Sequence, residues 1–229
     1  MRLIPPVRGD GCDVVGPGHP IAAGTRNVFG MLEEEYQQRR VLPPHLRKPG
    51  PPEAPFTFTI RPARAADLPA VREIYNYYVA NSTVTFDEDA MTLREWKAKF
   101  AHLQKLGMPF LVAESPSGQL LGYALVAPWK PKRAYRYTVE DSIYLGPAAS
   151  GKGLGKALLG ALIDASKAAG LKEILAVIAD QGADGSIALH ERFGFKEIGR
   201  MGRVGYKFDR WLDTVLMQRA LGQGTSAPP

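Results

Sequence analysis

A glycine-rich segment between a predicted strand and a predicted helix has the composition of a phosphate-binding turn. Its sequence is Gly151-Lys152-Gly153-Leu154-Gly155-Lys156, with glycine at every second position. Glycines allow positive φ angles and let backbone amides approach a ligand closely. The first amides of the following helix lack intrahelical partners and lie at the positive end of its dipole, so they can bind phosphate oxygens. The sequence therefore predicts a phosphate site here, with an ordinary tight turn as the alternative.

The same turn nearly matches the nucleoside-triphosphate loop, G-x-x-x-x-G-K-[ST]. The stretch Gly146–Gly153 ends in glycine, where a hydroxyl group should ligate magnesium. Pro147 also removes one backbone amide from the loop. Both departures disfavour a triphosphate-binding loop and favour a different ligand that carries several phosphates.

Glu140 is the residue of this region whose type suits proton transfer. It belongs to the predicted strand Val139–Leu145, and the two-residue period of a strand places Ser142 and Tyr144 on the same face. A carboxylate near the mouth of an apolar cleft has a raised pKa, which suits a general base. A surface glutamate paired with a nearby cation such as Arg136 is the alternative, and position alone does not decide between the two.

The elements that must position these residues are strands and helices in the order β-α-α-β-β-β-α-β-α-β-β. A wholly apolar run at Ile174–Ala179 predicts a strand buried on both faces. The order predicts an α/β fold, with a mixed sheet and helices on its faces. Strands are predicted at Phe56–Arg61, Phe110–Glu114, Leu120–Val126, Val139–Leu145, Ile174–Ala179, Glu197–Tyr206 and Trp211–Gln218, and helices begin near Ala66, Thr92, Gly153 and Ser186.

The composition is that of a globular chain without a membrane span. Of the 229 residues, 45% are hydrophobic and 23% are charged, and no apolar run approaches the roughly 20 residues of a membrane helix. The single cysteine, Cys12, excludes an intrachain disulfide, and the four histidines lack ligand spacing, so we expect no metal site. One cysteine favours a reducing, cytoplasmic compartment.

The net charge of +6 raises the question of nucleic-acid binding. The densest basic patch comprises Lys130, Lys132, Arg133 and Arg136, and aromatic residues do not alternate with it as they would on a stacking platform. We therefore expect no nucleic-acid partner. A basic surface that attracts a small polyanion accounts for the charge.

The chain divides into an extension, one domain and a short tail. Residues 1–55 are rich in proline and glycine and have almost no hydrophobic period, which predicts a disordered extension. Acidic residues in this segment argue against a mitochondrial transit peptide, and no secretory pattern is present. Residues 56–221 form the predicted domain, and residues 222–229 form a flexible tail. We expect Trp96 and Phe100 in the core, and Trp129, Tyr135 and Trp211 in the core or in a pocket wall.

Eight segments of the domain follow one another in an order and spacing that are specific when taken together. They are Ile60-Arg61-Pro62-Ala63, Ile74-Tyr75-Asn76, Thr83-Val84-Thr85-Phe86, Thr138-Val139-Glu140-Asp141-Ser142-Ile143-Tyr144-Leu145, Gly151–Lys156, Ser186-Ile187-Ala188-Leu189-His190, Phe193-Gly194-Phe195 and Lys207-Phe208-Asp209-Arg210-Trp211-Leu212-Asp213. Through these segments the chain resembles the GNAT acetyltransferases over about Phe58–Leu221. Within that family it looks like the branch of phosphinothricin and methionine sulfoximine/sulfone acetyltransferases.

The resemblance implies a fold, a reaction and a set of site residues. The fold is a mostly antiparallel sheet of about seven strands with a splayed central pair, and the reaction is transfer of the acetyl group of acetyl-CoA to a small amino-acid-like amine, directly between bound substrates. Glu140 would be the general base, and His190 would protonate the leaving thiolate or bind the base. Cofactor contacts would come from the glycine turn and from the backbone at Ile143, Tyr144 and Leu145, and substrate contacts from Arg136, Tyr137 and Phe86. A homodimer is expected.

The sequence departs from the family pattern at Ser150, where Arg or Gln is usual, and at Ala183, where an Asn contacts the cofactor arm. Ser150 predicts weakened rather than abolished cofactor binding, because backbone amides bind the phosphates. Ala183 removes one polar contact with the cofactor arm. Asp141 follows the glutamate where His, Ser or Thr is usual. Two alternatives stay open: another acceptor, such as a peptide N-terminus or a polyamine, and an acetyl-CoA-binding protein without catalysis.

Overall fold

The computed structural model describes residues 56–222, which contain a single seven-stranded sheet flanked by four helices. The predicted extension over residues 1–55 and residues 223–229 of the predicted tail lie outside the described residues. The strands are β1 (Thr59–Pro62), β2 (Phe110–Glu114), β3 (Leu120–Pro128), β4 (Thr138–Leu145), β5 (Glu173–Ala179), β6 (Lys196–Lys207) and β7 (Arg210–Ala220). The helices are α1 (Leu68–Asn81), α2 (Leu93–Lys105), α3 (Leu154–Ala168) and α4 (Asp184–Arg192). The predicted order of elements is confirmed.

The sheet has the order β1-β2-β3-β4-β5-β7-β6. Its neighbouring strands are antiparallel, except that β4 and β5 are parallel. Pairing of β4 with β5 joins Thr138 through Glu140 to Glu173 through Leu175. Beyond Glu140, no further partners join these two strands in the described residues, although β4 continues to Leu145. The central strands therefore separate, and this splayed pair opens the middle of the sheet.

Helices cover both faces of the sheet. Because successive residues of a strand point to opposite faces, alternate apolar residues pack against different helices. On one face, α1 and α2 pack on Val112, Tyr123 and Leu125. On the other face, α3 packs on the alternate residues Ala124 and Val126. The predicted core residues Trp96 and Phe100 are buried, and each large apolar side chain removed from water contributes about 1.5–3 kcal/mol.

Local signals fix where α2 begins. The side chain of Thr92 accepts a hydrogen bond from the Glu95 amide at 3.2 Å, and the Glu95 carboxylate accepts one from the Thr92 amide at 2.8 Å. This reciprocal capping satisfies donors that the first turn leaves unpaired. Fixing α2 in this way also fixes the connection between α1 and α2, which reaches the central opening.

Two of the aromatic residues expected in the core or in a pocket wall lie elsewhere. Tyr135 and Trp211 are 42% and 50% exposed, and neither lines the cavity between β4 and β5. Trp211 lies near the turn of the hairpin, where it packs edge-on against Tyr206, and most of β6 is exposed. No described helix is long and apolar enough to cross a membrane.

Candidate active site

A cavity of about 710 Å³ occupies the opening between β4 and β5. Residues 140–145 of β4 form one wall, and residues 176–179 of β5 form the opposite wall. The connection between α1 and α2 closes one side, and the glycine turn and the start of α4 close the other. The cavity thus extends along the region where the two strands separate, from the connection between α1 and α2 to the glycine turn.

The glycine turn forms one end of this cavity through Gly151 and Gly155. Gly151 and Gly153 have φ angles of +76° and +80°, a left-handed conformation that favours glycine. Gly153 is the N-cap of α3 and provides no side-chain cap. Side chains therefore do not occupy the first amides of α3, and the positive end of the helix dipole faces the turn.

Other members of the predicted cofactor segment lie outside the cavity lining. Lys152 places its ammonium nitrogen 5.0 Å from the centroid of the Phe56 ring. Leu154 is fully buried in the core beneath α3. Gly153 and Lys156 are likewise absent from the lining, so their predicted contacts would be made at the rim of the cavity. The role of these four residues stays a prediction.

The predicted backbone contacts Ile143, Tyr144 and Leu145 all line the cavity. The phenol ring of Tyr144 stacks on Tyr123 with ring centroids 5.4 Å apart and meets Tyr75 edge-on at 5.2 Å. Burial raises the pKa of Tyr144 to about 12, so this phenol is neutral at physiological pH. Beyond the point where its pairing with β5 ends, β4 stays paired with β3, and this aromatic packing adds to that support.

Glu140 lies at the last position of β4 that pairs with β5, and it lines the cavity. Its side chain shares a face with Tyr144, on the side of the sheet covered by α1 and α2. Burial is the main cause that raises its pKa, and the neighbouring Asp141 raises it further, whereas Lys99 and Lys130 lower it. A raised pKa makes the carboxylate a stronger proton acceptor, as a general base requires.

His190 lines the cavity from α4 and bonds Asp141 rather than the predicted base. Its Nε2 lies 3.0 Å from Oδ2 of Asp141, and its Nδ1 lies 2.7 Å from the carbonyl oxygen of Ser186. Burial opposes the charge of the imidazole, but the hydrogen bond and charge of Asp141 and the Ser186 carbonyl outweigh it and raise the pKa. Because Asp141 follows Glu140 on β4, the two carboxylates point to opposite faces.

The connection between α1 and α2 supplies the wall beside Glu140. Thr85 and the predicted substrate residue Phe86 line the cavity there, together with Tyr75 and Tyr78 of α1. The hydroxyl oxygen of Tyr75 lies 3.0 Å from that of Thr85, and the Tyr78 hydroxyl donates to the Leu145 carbonyl at 2.7 Å. Both tyrosines lie on the face of α1 that packs on the sheet, so hydrophobic spacing alone does not distinguish them from core residues. Their hydroxyl groups are the one feature of the sequence that could have indicated polar contacts at the cavity.

The structure does not bring Arg136 and Tyr137 to the cavity. Arg136 ends a short 3₁₀ helix over Arg133–Tyr135, and its guanidinium lies over the Tyr137 ring at 4.5 Å from the centroid. The exposed position of Arg136 follows from this turn, which directs the side chain along the surface. Substrate binding by these two residues stays a prediction.

Within residues 56–222 no group of His, Cys, Asp or Glu could hold a metal ion.

Comparison with known proteins identifies the class to which this fold and cavity belong. Residues 60–216 match the model of the acetyltransferase (GNAT) domain. The chain belongs to the GNAT acetyltransferase family, so the expected enzyme class is confirmed.

Particular relatives refine this assignment. The phosphinothricin N-acetyltransferase of Alcaligenes faecalis is 39% identical over 82% of this chain and 100% of its own length. The L-methionine sulfoximine/L-methionine sulfone acetyltransferase of Pseudomonas paraeruginosa is 44% identical over 74% of this chain and 98% of its own. A GNAT phosphinothricin acetyltransferase from Sinorhizobium meliloti, solved in complex with acetyl-CoA, is 44% identical with a TM-score of 0.71, covering 76% of this chain and 93% of that one. The predicted resemblance is thereby confirmed.

Proposed function

We propose that the protein transfers the acetyl group of acetyl-CoA to the amine of a small amino-acid-like substrate of the phosphinothricin or methionine sulfoximine/sulfone type. The observation that carries the proposal is a single cavity lined both by Glu140 and by the glycine turn at Gly151 and Gly155. Relatives with those activities align over nearly their whole length. The substrate class follows from these relatives, because the fold alone fixes the reaction better than the acceptor.

The cofactor half of the cavity fits a pyrophosphate and its extended arm. Left-handed glycines and the uncapped start of α3 present backbone donors, which suit phosphate oxygens. When bound, acetyl-CoA supplies the acetyl thioester that an amine can attack. The open edge of β4 beyond Glu140 offers further backbone groups to the acyl carbonyl and the arm.

Glu140 acts as the general base in this proposal. The acceptor enters as an ammonium ion, and Glu140 takes a proton from it, directly or through water, so that the nitrogen lone pair becomes available. The new bond joins this nitrogen to the acetyl carbon, and the bond from that carbon to sulfur breaks. Transfer is direct between the two bound substrates.

His190 acts on the leaving side. Both of its ring nitrogens face acceptors, and its raised pKa favours the imidazolium form. A positive charge in the cavity stabilises the departing thiolate, which takes up the second proton that the nitrogen releases as it becomes an amide. If His190 gave its Nε2 proton to the thiolate, the lone pair left on Nε2 would face the Asp141 carboxylate, which is unfavourable. We therefore assign His190 electrostatic stabilisation of the thiolate rather than proton donation.

A homodimer is part of the proposal. Exposed large apolar side chains concentrate on the β6–β7 hairpin, and such a concentration supports a role of the hairpin in an interface. The residues concerned are Ile198, Met201, Val204, Tyr206, Phe208 and Trp211. Sedimentation of the purified protein at about twice the 25.0 kDa chain mass is the expected result. Cytoplasmic location stays a prediction.

The experiment that tests the function measures thiol release from acetyl-CoA against a panel of amines. The panel contains phosphinothricin, methionine sulfoximine, methionine sulfone, common amino acids, a polyamine and a peptide. We expect turnover of the first three. Turnover of the peptide or polyamine alone would replace the acceptor class, and binding of acetyl-CoA without any turnover would overturn the catalytic proposal.

A further inference from the structure

The acceptor side of the cavity depends on a segment that has no regular secondary structure. Residues 82–87 connect α1 to the approach of α2, and Val84, Thr85 and Phe86 line the cavity. A wall of this kind has no strand or helix of its own to fix it, so its shape depends on the contacts it makes with neighbouring elements.

One set of contacts comes from α1. The Tyr75 hydroxyl donates a hydrogen bond to the Asp87 carboxylate and lies 3.0 Å from the Thr85 hydroxyl. Farther along, the Asn76 amide and the backbone of Met91 exchange two hydrogen bonds of 2.9 and 3.0 Å. These contacts fix the far end of the segment to the domain.

The second set comes from the end of β6, more than a hundred residues later in the chain. The ammonium of Lys207 donates hydrogen bonds of 2.9 Å to the carbonyl oxygens of Ser82 and Thr85. Lys207 is only 3% exposed, although lysine is almost never buried without partners. These two hydrogen bonds attach both ends of Ser82–Thr85 to a single cation, next to the residues that line the cavity.

Gly205 adds a van der Waals contact with the wall to the hydrogen bonds of Lys207. A β-carbon at position 205 would overlap Cε2 and Cδ2 of the Phe86 ring, so the ring lies directly against the backbone of β6. The register of β6 with β7 shifts between Met201 and Gly205, and this irregularity precedes the residues that meet the segment. The hairpin thus presents a flat backbone surface and a buried cation to the same wall.

We propose that Lys207 is a positioning residue for the amine acceptor, holding the wall at Thr85 and Phe86 in the shape that the acceptor meets. The proposal rests on the proposed function, because it assigns the acceptor to this side of the cavity. Lys207 does not contact the cofactor side, where the glycine turn and His190 lie. Its loss affects binding of the acceptor and spares binding of acetyl-CoA.

The test compares Lys207→Met with Lys207→Arg and with the control Lys196→Met. Lys196 is an exposed lysine at the opposite end of β6, so its substitution removes the same charge without touching the wall. Each protein is assayed for KM and kcat with methionine sulfone and acetyl-CoA, and for amide hydrogen exchange over residues 82–87.

We expect Lys207→Met to raise KM for methionine sulfone by roughly 10-fold or more, the weight of hydrogen bonds to a charged group, and to speed exchange over residues 82–87. KM for acetyl-CoA changes less than about twofold. Lys207→Arg, which still donates to carbonyls, recovers part of the loss, and Lys196→Met behaves as wild type. If Lys207→Met does not fold, Lys207→Arg decides alone. A rise in KM for methionine sulfone without a rise in KM for acetyl-CoA supports the proposal, and an equal rise in both contradicts it.

Wild-type KM and exchange in Lys207→Met would overturn the proposal. So would an equal rise in both KM values together with a lower melting temperature, since that pattern indicates a general structural role. If the wild-type protein acetylates no amine, the proposed function fails. The exchange comparison still decides whether Lys207 holds the wall.

Discussion

Nε2 of His190 lies 3.0 Å from Oδ2 of Asp141, and the two side chains are 4% and 2% exposed. Nδ1 of the same ring lies 2.7 Å from the Ser186 carbonyl, which can only accept, so this nitrogen carries a proton. The carboxylate favours a second proton on Nε2. These two acceptors raise the pKa of His190 and favour its imidazolium form, and the contact with Asp141 joins α4 to β4.

Replacing His190 by glutamine is expected to destabilise the domain in a pH-dependent way. The substitution leaves the Asp141 carboxylate buried without its cation, and breaking a buried pair costs about 3–5 kcal/mol. Because the pKa of His190 is raised, the stabilisation is complete below about pH 6.5, the ordinary histidine value, and is lost as pH rises through the higher folded value. Denaturant unfolding from pH 6 to 9 measures this.

Asp141→Asn combined with His190→Gln is the matched control, since it removes both charges and should recover part of the stability lost in His190→Gln. A difference between wild type and His190→Gln that stays constant from pH 6 to 9 contradicts the ionised pair. So does a single variant as stable as wild type at pH 6.

Glu140→Gln is expected to lower kcat by roughly 10²–10⁴-fold, the usual weight of a general base. The amide keeps the size of the side chain, so the dissociation constant of acetyl-CoA should not change. In the wild type, kcat should rise with pH through a pKa above the ordinary glutamate value of 4.5, because burial and Asp141 raise it. The base works only when ionised, and Glu140→Gln should lose this limb of the profile.

Glu73→Gln on the exposed surface of α1 provides the control for the loss of a carboxylate. It should leave kcat and its pH dependence unchanged. A Glu140→Gln enzyme that turns over as fast as wild type would remove this residue from the mechanism.

Local patterns predicted most of the fold and the main parts of the cavity. Glu140, Gly151 and Gly155 were predictable because strand period and glycine spacing are short-range signals, and the structure brings them to one cavity. The splayed strands followed from the family resemblance. The capping of α2 by Thr92 is likewise readable from adjacent residues.

Contacts between distant segments could not be predicted in this way. Nothing near Lys207 in the sequence indicates that it binds carbonyls 122 and 125 residues away. The bond of His190 to Asp141 likewise spans 49 residues. Arg136 differs, because the family resemblance implied its substrate contact. The structure places it after a 3₁₀ turn on the surface, so that contact stays a prediction.

Gly153→Val is expected to weaken acetyl-CoA binding through the backbone. A β-carbon at this position would meet open space, but φ is +80°, a conformation that costs a branched residue about 1–3 kcal/mol. Relief of this strain would turn the first amides of α3 away from the cavity. Calorimetric titration of acetyl-CoA into the variant measures the loss.

Gly170→Val is a matched control, because Gly170 follows the other end of α3 with φ of +78° and equally open space. Both substitutions should lower the melting temperature, and Gly153→Val alone should raise the dissociation constant. Equal affinities in the two variants would mean that the turn does not bind the phosphates.

Gly205→Ala tests the contact between β6 and the acceptor wall without removing a charge. The added methyl group would overlap the Phe86 ring, and the ring can relieve the overlap only by moving. Because the ring can move, the free energy of unfolding should fall by only about 1 kcal/mol, at the low end for overpacking. A displaced wall should raise KM for the amine by roughly 10-fold or more while KM for acetyl-CoA is kept. Gly199→Ala, on the same strand with open space around it, should alter neither constant, and equal kinetics for the two alanine variants would contradict a role of Phe86 in the acceptor wall.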